Sequence, residues 1–234
     1  MRKQLRRIEK IFSRVYKRLF LAEILVLGDS HAGVFRHRAF RKHYPKHYFN
    51  VIKVKGATAS GLHNPNSVTQ SHARFHEAIA SSKAQSAFII LGEVDTGFVI
   101  WYRAKKYGES IDSMLDKAVA NYADLLATMN RKFRVTCISA PLPTIRDGDP
   151  PGEVASARRD VVVSRADRTQ LALKFNRRMQ QVCESCGVAY LDLDQDSLGP
   201  DGMVKAELLS DNICNHHYDR DKYAQLIISR LPAL

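Results

Sequence analysis

Three short polar stretches in this 234-residue sequence hold side chains able to do acyl-transfer chemistry. The first, Gly28-Asp29-Ser30-His31, follows the apolar run 24–27 and precedes a helical stretch. Ser30 therefore falls on a tight turn that opens a helix, where the backbone carries positive partial charge and a hydroxyl is exposed. That placement suits a nucleophile whose own turn must hold an oxyanion. It suits plain capping equally well, because Asp29 or Ser30 would satisfy the first helical amides. The second stretch, Gly92-Glu93-Val94-Asp95, closes the third apolar run, and the third, His216-His217, stands just before the last helix. Brought to one edge of a sheet, the three would supply nucleophile, oxyanion donors and base.

The elements that must position them alternate. Apolar runs suited to strands fall at 23–28, 49–54, 86–92, 133–140 and 187–193, and helical stretches at 32–42, 68–82, 110–130, 166–186 and 220–231. Within 166–186, Leu171, Phe175, Met179 and Val182 share one face, and Gly187 supplies a C-cap. Five strands alternating with helices predict an α/β fold: a five-stranded parallel sheet covered on both faces, hence a three-layer αβα sandwich. The irregular stretch from Pro141 to Ser164 follows the fourth strand. It starts at the carboxyl edge, where open α/β sheets bind ligands, and Arg146 within it is a vague candidate contact.

Composition narrows the class. A chain of 26.5 kDa, 45% apolar and 26% charged, can bury a core without disulfides or metals. It has no apolar run long enough for a membrane-spanning helix. Four cysteines make no disulfide scaffold and fit a reducing, cytoplasmic setting. Cys183 and Cys186, with Cys214, have metal-like spacing but are expected to be free thiols, since the pair lies at the wrong end of its helix for activation. Residues 1–20 hold eight Lys/Arg and one Glu, so +7 of the formal +12 sits there. Leu5, Ile8, Phe12, Val15, Tyr16 and Leu19 recur at helical steps among them. The chain thus divides into a basic amphipathic helix, 1–20, and an α/β domain, 21–234. The helix either packs on that domain or docks at an anionic membrane surface or a protein partner. FLAEILVLG is no signal peptide, because Glu23 interrupts it and a polar turn follows, so no cleavage is expected. His37, His43 and His47 stand among Arg and Lys and read as a solvated basic face. Nucleic acid is not an expected partner, for the charge outside 1–20 is modest.

Taken together, the stretches resemble the SGNH/GDSL hydrolases, a superfamily of serine esterases, lipases, thioesterases and carbohydrate deacetylases. The resemblance runs from about residue 22 to the C-terminus and implies a flavodoxin-like sheet. It implies that Ser30 of Gly28-Asp29-Ser30 is the nucleophile. The amides of Ser30 and of Gly56 in VKGATASGL, with Gly61 as rival, would form the oxyanion hole. His217, with Tyr223-Ala224 six and seven residues on, would be the base. Two blocks depart from the family pattern. In place of G-x-N-D stands Gly92-Glu93-Val94-Asp95, with Asp95 where an amide donor is expected. Asp95 would then be protonated, or turned away, with Asn64 as substitute donor. In place of D-x-x-H, Cys214 stands three residues before His217. Asp211, six before, is taken as the orienting carboxylate, and Asp219 lies two after. The implied reaction is hydrolysis of short acyl esters, such as those of a carbohydrate, through an acyl-enzyme, with no cofactor and no metal. Asp29, His31, Glu93, Trp101, Tyr102 and Arg103 are taken as substrate contacts.

Three other functions compete. A sugar O-acyltransferase would use the same acyl-enzyme with another acceptor. A binding module would keep the fold and lose the triad, as two altered blocks suggest. A metal-dependent phosphoesterase would read Asp29-Ser30-His31 as D-x-H and Asn215-His216 as the remnant of G-N-H, though the remaining spacings are wrong.

Overall fold

Alternation within each strand sorts the core into two halves. In β1 (Ala22–Gly28), Leu25 and Leu27 face one cluster of buried side chains, while Ile24 and Val26 face another. The same happens in β3 (Ser86–Ile90), where Ala87 and Ile89 oppose Phe88 and Ile90. A strand apolar on both faces must be covered on both, so the sheet lies between two layers of helix. With β2 (His47–Lys53), β4 (Arg134–Ile138) and β5 (Ala189–Leu191) the sheet is all parallel, in the order β2-β1-β3-β4-β5. That is the flavodoxin-like order that the family resemblance implies. The structure is a computed structural model, and it describes residues 20–148, 163–212 and 214–232.

The helices are α1 (Arg38–His43), α2 (Ser71–Ser81), α3 (Ile100–Tyr107), α4 (Ile111–Asn130), α5 (Arg165–Cys186), α6 (Asp194–Ser197) and α7 (Arg220–Arg230). One layer holds α2, α4 and α5, whose Phe75, Tyr122 and Phe175 are all but fully buried. The other holds α1 and α7, with Phe40, Ala224 and Ile227 inside. Each such apolar side chain contributes about 1.5–3 kcal/mol. Local signals set the ends. Ser110 Oγ accepts from the Ser113 amide at 3.0 Å and Ser164 Oγ from the Asp167 amide at 3.0 Å, starting α4 and α5. On α5, buried Asn176 accepts from the Ala140 amide at 2.8 Å and donates to the Ala140 carbonyl at 3.0 Å, which fixes the exit from β4.

Two expectations change. The helix expected over 32–42 is a 3-10 helix, Ser30–Arg36, followed by α1, with the break at His37 in extended conformation. The segment after β3 is helical, a π-turn over Asp95–Val99 running into α3, because Ile100 and Ala104 bury one helical stripe. The basic segment 1–20, Phe20 apart, and residues 149–162 of the proline-rich stretch lie outside the described residues. Among the described residues no helix is long and apolar enough to cross a membrane. All four cysteines are free.

Candidate active site

Gly28 lets the first turn form at all. A Cβ there would lie 2.4 Å from the Ile90 carbonyl oxygen and 2.9 Å from the Ala32 Cβ, so only glycine allows β1 to pass this close to β3. The chain then turns at Asp29 into the 3-10 helix, and the Asp29 carboxylate accepts from the His31 amide at 2.8 Å. Ser30 is left partly exposed at the carboxyl edge.

The histidine loop meets it there. Ser30 Oγ lies 3.4 Å from His216 Nε2, so the structure sets His216 rather than His217 against the serine. His217 turns Nδ1 onto Asn215 Oδ1 at 2.9 Å, and its ring lies 4.0 Å from that of His216 and 4.5 Å from that of His31. Burial, with His31 and His216 beside it, pushes the His217 imidazole down to about 3, so it stays neutral. The loop is tied at several points. Thr144 Oγ1 donates to the Asn215 carbonyl at 3.1 Å, Tyr218 Oη accepts from the Leu142 amide at 2.8 Å, and His31 Nε2 donates to the His216 carbonyl at 3.3 Å. The start of the stretch after β4 thus positions the histidines.

His31 has an acceptor at each ring nitrogen, the second being Asp29 Oδ1 at 3.0 Å from Nδ1. A ring that donates from both nitrogens is an imidazolium. Burial alone would lower its pKa. The Asp29 contact and hydrogen bond, with Glu93 behind them, outweigh burial and raise it. Asp29, His31 and Glu93 are 0%, 2% and 2% exposed, so they form a buried cluster of ionisable side chains under the site, of which only His31 borders the cavity beside Ser30.

The second and third stretches meet each other. Asp95 accepts from the Ala59 amide at 2.7 Å, the Ser60 amide at 2.9 Å and Ser60 Oγ at 2.6 Å. Its carboxylate therefore faces the turn after β2 and pins it. Burial raises its pKa to about 6, against the lowering by those hydrogen bonds. Laid position by position on G-x-N-D, Gly92-Glu93-Val94-Asp95 puts Val94, not Asp95, in the amide-donor place. Asn64 is exposed, its carboxamide oxygen accepting from the Asn66 amide at 3.0 Å, as part of its own turn.

Of the two glycines, Gly61 spends its amide on Thr58 Oγ1 at 2.9 Å. The Ser30 and Gly56 amides have no acceptor among the described residues. The Val54 amide donates to the Gly28 carbonyl at 2.9 Å, so Gly56 follows two residues after the point where β2 leaves beside Ser30.

Other expected contacts lie elsewhere. Asp211 is exposed and makes no hydrogen bond to either histidine, because its loop carries it outward. Trp101 Nε1 donates to the Thr96 carbonyl at 2.7 Å, and Arg103 Nη1 to the Ser60 carbonyl at 3.3 Å. Tyr102 stacks on Phe98 at 5.6 Å. These three brace α3 and the turn after β2, and none lines the cavity beside Ser30. The metal reading lacks a donor set: Asp29 and His31 bind each other. Among the described residues no three His, Cys, Asp or Glu side chains converge to hold an ion.

No family model matches the sequence, and no curated protein matches it. Solved structures do match. A GDSL-like lipase from Bacteroides thetaiotaomicron superposes with a TM-score of 0.60 at 16% identity, over 88% of this chain and 85% of that one. A variant of an acetyl-xylooligosaccharide esterase from Geobacillus gives 0.56 at 14%, over 90% and 95%. An extracellular lipase from Streptomyces rimosus gives 0.53 at 15%, over 90% and 100%. Overlap this full at identities this low makes the likeness one of fold: the chain has the SGNH/GDSL hydrolase fold.

Proposed function

We propose that this chain is a serine acylesterase. Ser30 Oγ attacks the ester carbonyl while His216 Nε2 takes its proton, and the C–O bond to the alcohol breaks as His216 returns that proton to the leaving oxygen. Water then adds to the acyl-enzyme, giving a proton to His216, and Ser30 recovers its proton as the acid departs. The Ser30 and Gly56 amides hold the oxyanion, a two-donor hole because Val94 brings none. His31 is a positioning residue that holds the His216 carbonyl. The observation that carries this reading is the 3.4 Å approach of Ser30 Oγ to His216 Nε2.

Short acyl groups on a carbohydrate are the favoured substrate class, supported by the acetyl-xylooligosaccharide esterase that shares the fold. An acylated sugar product on adding a sugar acceptor would instead mark an O-acyltransferase. The test of the nucleophile is fluorophosphonate labelling, read by intact mass and peptide mapping. One adduct on Ser30, lost on denaturation and in Ser30→Ala, is expected; a folded protein that takes no adduct overturns the assignment. Val94 in the donor position and the outward-facing Asp211 favour one second reading, a binding module. Ligand binding without turnover across an acyl-ester panel would identify it.

A further inference from the structure

Beside Ser30 opens a cavity of about 520 Å3, a size that holds a small ligand. Ser30 and His217 line one side, and Gly33, Arg36, Lys53 and Arg220 contribute to the rest. The three cations come from separate elements: the end of the 3-10 helix, the end of β2 and the start of α7. Lys53 lies across Gly33, where a Cβ would stand 3.3 Å from its Cδ and 3.5 Å from its Nζ, so the glycine makes room for the ammonium.

Asp219 lines the cavity as well, but no acid pairs with the three cations among the described residues. Among the described residues neither Lys53 nor Arg220 has a hydrogen-bonded or ion-paired acid, and Arg36 Nη2 donates to the Val51 carbonyl at 2.8 Å. The acids nearby are engaged. Asp219 Oδ1 caps α7 through the Lys222 amide at 2.9 Å, and Asp221 pairs with His37 at 2.9 Å. Burial, Arg36, Lys55 and Arg220 together push the Lys53 ammonium below its ordinary pKa, the mark of cations crowded without a counter-charge. Like charges gathered in a concave, partly desolvated wall raise the local concentration of anions and favour whatever anion enters.

We propose that this cavity is a subsite for an anionic group, a phosphate or carboxylate, carried by the ester that Ser30 attacks. The proposal deepens the esterase reading and rests on it for the word substrate, but not for the binding. Its test therefore uses Ser30→Ala protein, which turns nothing over. Inorganic phosphate and, as the carboxylate arm, glucuronate are titrated calorimetrically at low salt. Saturable one-site binding is expected for at least one probe, weakened about tenfold or more in Lys53→Met and in the exposed Arg220→Gln, as loss of a charged hydrogen bond predicts. The stronger probe names the anion. Heats that stay non-saturable for both, or binding unchanged in both variants, overturn the proposal. Wild-type protein then reports on the esterase reading separately. Acetylated glucose 6-phosphate or acetylated glucuronate should exceed acetylated glucose in kcat/KM, and the ratio should fall in Lys53→Met. Saturable binding with no hydrolysis of any of these esters would retain the anion site and discard the esterase.

Discussion

Two buried aspartates sit at adjacent strand ends, and they do opposite things. Asp95, after β3, is satisfied by two backbone amides and a hydroxyl, all neutral. Asp29, after β1, takes a backbone amide and the His31 imidazolium on one oxygen, Oδ1, while its Oδ2 is buried with no hydrogen-bond partner among the described residues. Neutral donors fix a turn without storing charge, and burial then dominates, raising Asp95 to about 6. A titrating partner instead gives the carboxylate a cation to hold, and that cation, His31, reaches the carbonyl of His216, the residue set against Ser30. The lesson is that a buried carboxylate takes its role from its donors: amides make it a brace for a turn, a ring makes it the anchor of a buried cation.

The largest expected effect probes the machinery directly. His216→Ala should lower kcat about 10²–10⁴-fold, the range for a lost general base, and His217→Ala should cost less. Steady-state kinetics on one short acyl ester decides; a greater loss in His217→Ala would move the base one residue on. Next comes His31→Gln, which strips Asp29 of its cation and should destabilise the protein by about 3–5 kcal/mol in urea denaturation. The pH dependence has a defined sign. The folded pKa of His31 is raised, so its stabilisation is full below about 6.5 and fades as pH climbs through the folded value. Midpoints measured against pH should lose that decline in the variant.

Asp95→Asn should cost less, about 1–3 kcal/mol, because one amide of the turn after β2 loses its acceptor. Here too the folded pKa lies above the ordinary one, but for an acid. Folded protein holds the extra proton between about 4 and 6, so stability falls as pH rises through that window. The Asn variant should flatten the fall; an unchanged slope between those pH values would remove Asp95 as its source. Smallest, and opposite in direction, is Val94→Asn. It restores an amide to the oxyanion side and should raise kcat about tenfold, short of the 10²–10³ that a preorganised donor supplies. No gain in kcat would mean that position 94 does not face the oxyanion.

Much of this was legible in the sequence, for reasons that differ by region. The five strands and the long helices declare themselves because apolar period and caps are local properties: Gly187 ends its helix as the sequence suggests. The break at His37 and the helix over Ile100–Tyr107 did not, since Trp101-Tyr102-Arg103 hides a stripe carried by Ile100 and Ala104. At the site, the turn bearing Ser30 was visible from Gly28-Asp29-Ser30 alone. Adjacent His216 and His217 could not be told apart, because which ring points at the serine depends on how Thr144, Tyr218 and His31 hold their loop. Asp95 drew attention as an acid beside an expected oxyanion. Its real partners, Ala59 and Ser60, are 36 and 35 residues away and meet it only through the sheet. Lys53 carried no signal, for a lysine ending a strand is ordinary until Gly33 and Arg220 are seen around it.

The close passage of β1 against the Ile90 carbonyl, which Gly28 makes possible, has a kinetic consequence. Ser30 has no slack of its own and moves as the sheet moves, whereas His216 and His217 ride a loop held by a few side-chain tethers. In a molecule whose parts open with unequal free energies, that loop opens well before β1 does. Amide exchange should therefore be faster at Asn215 to His217 than at Leu25 to Leu27, and the protein should spend brief intervals with an intact fold, an intact Ser30 and no histidine beside it.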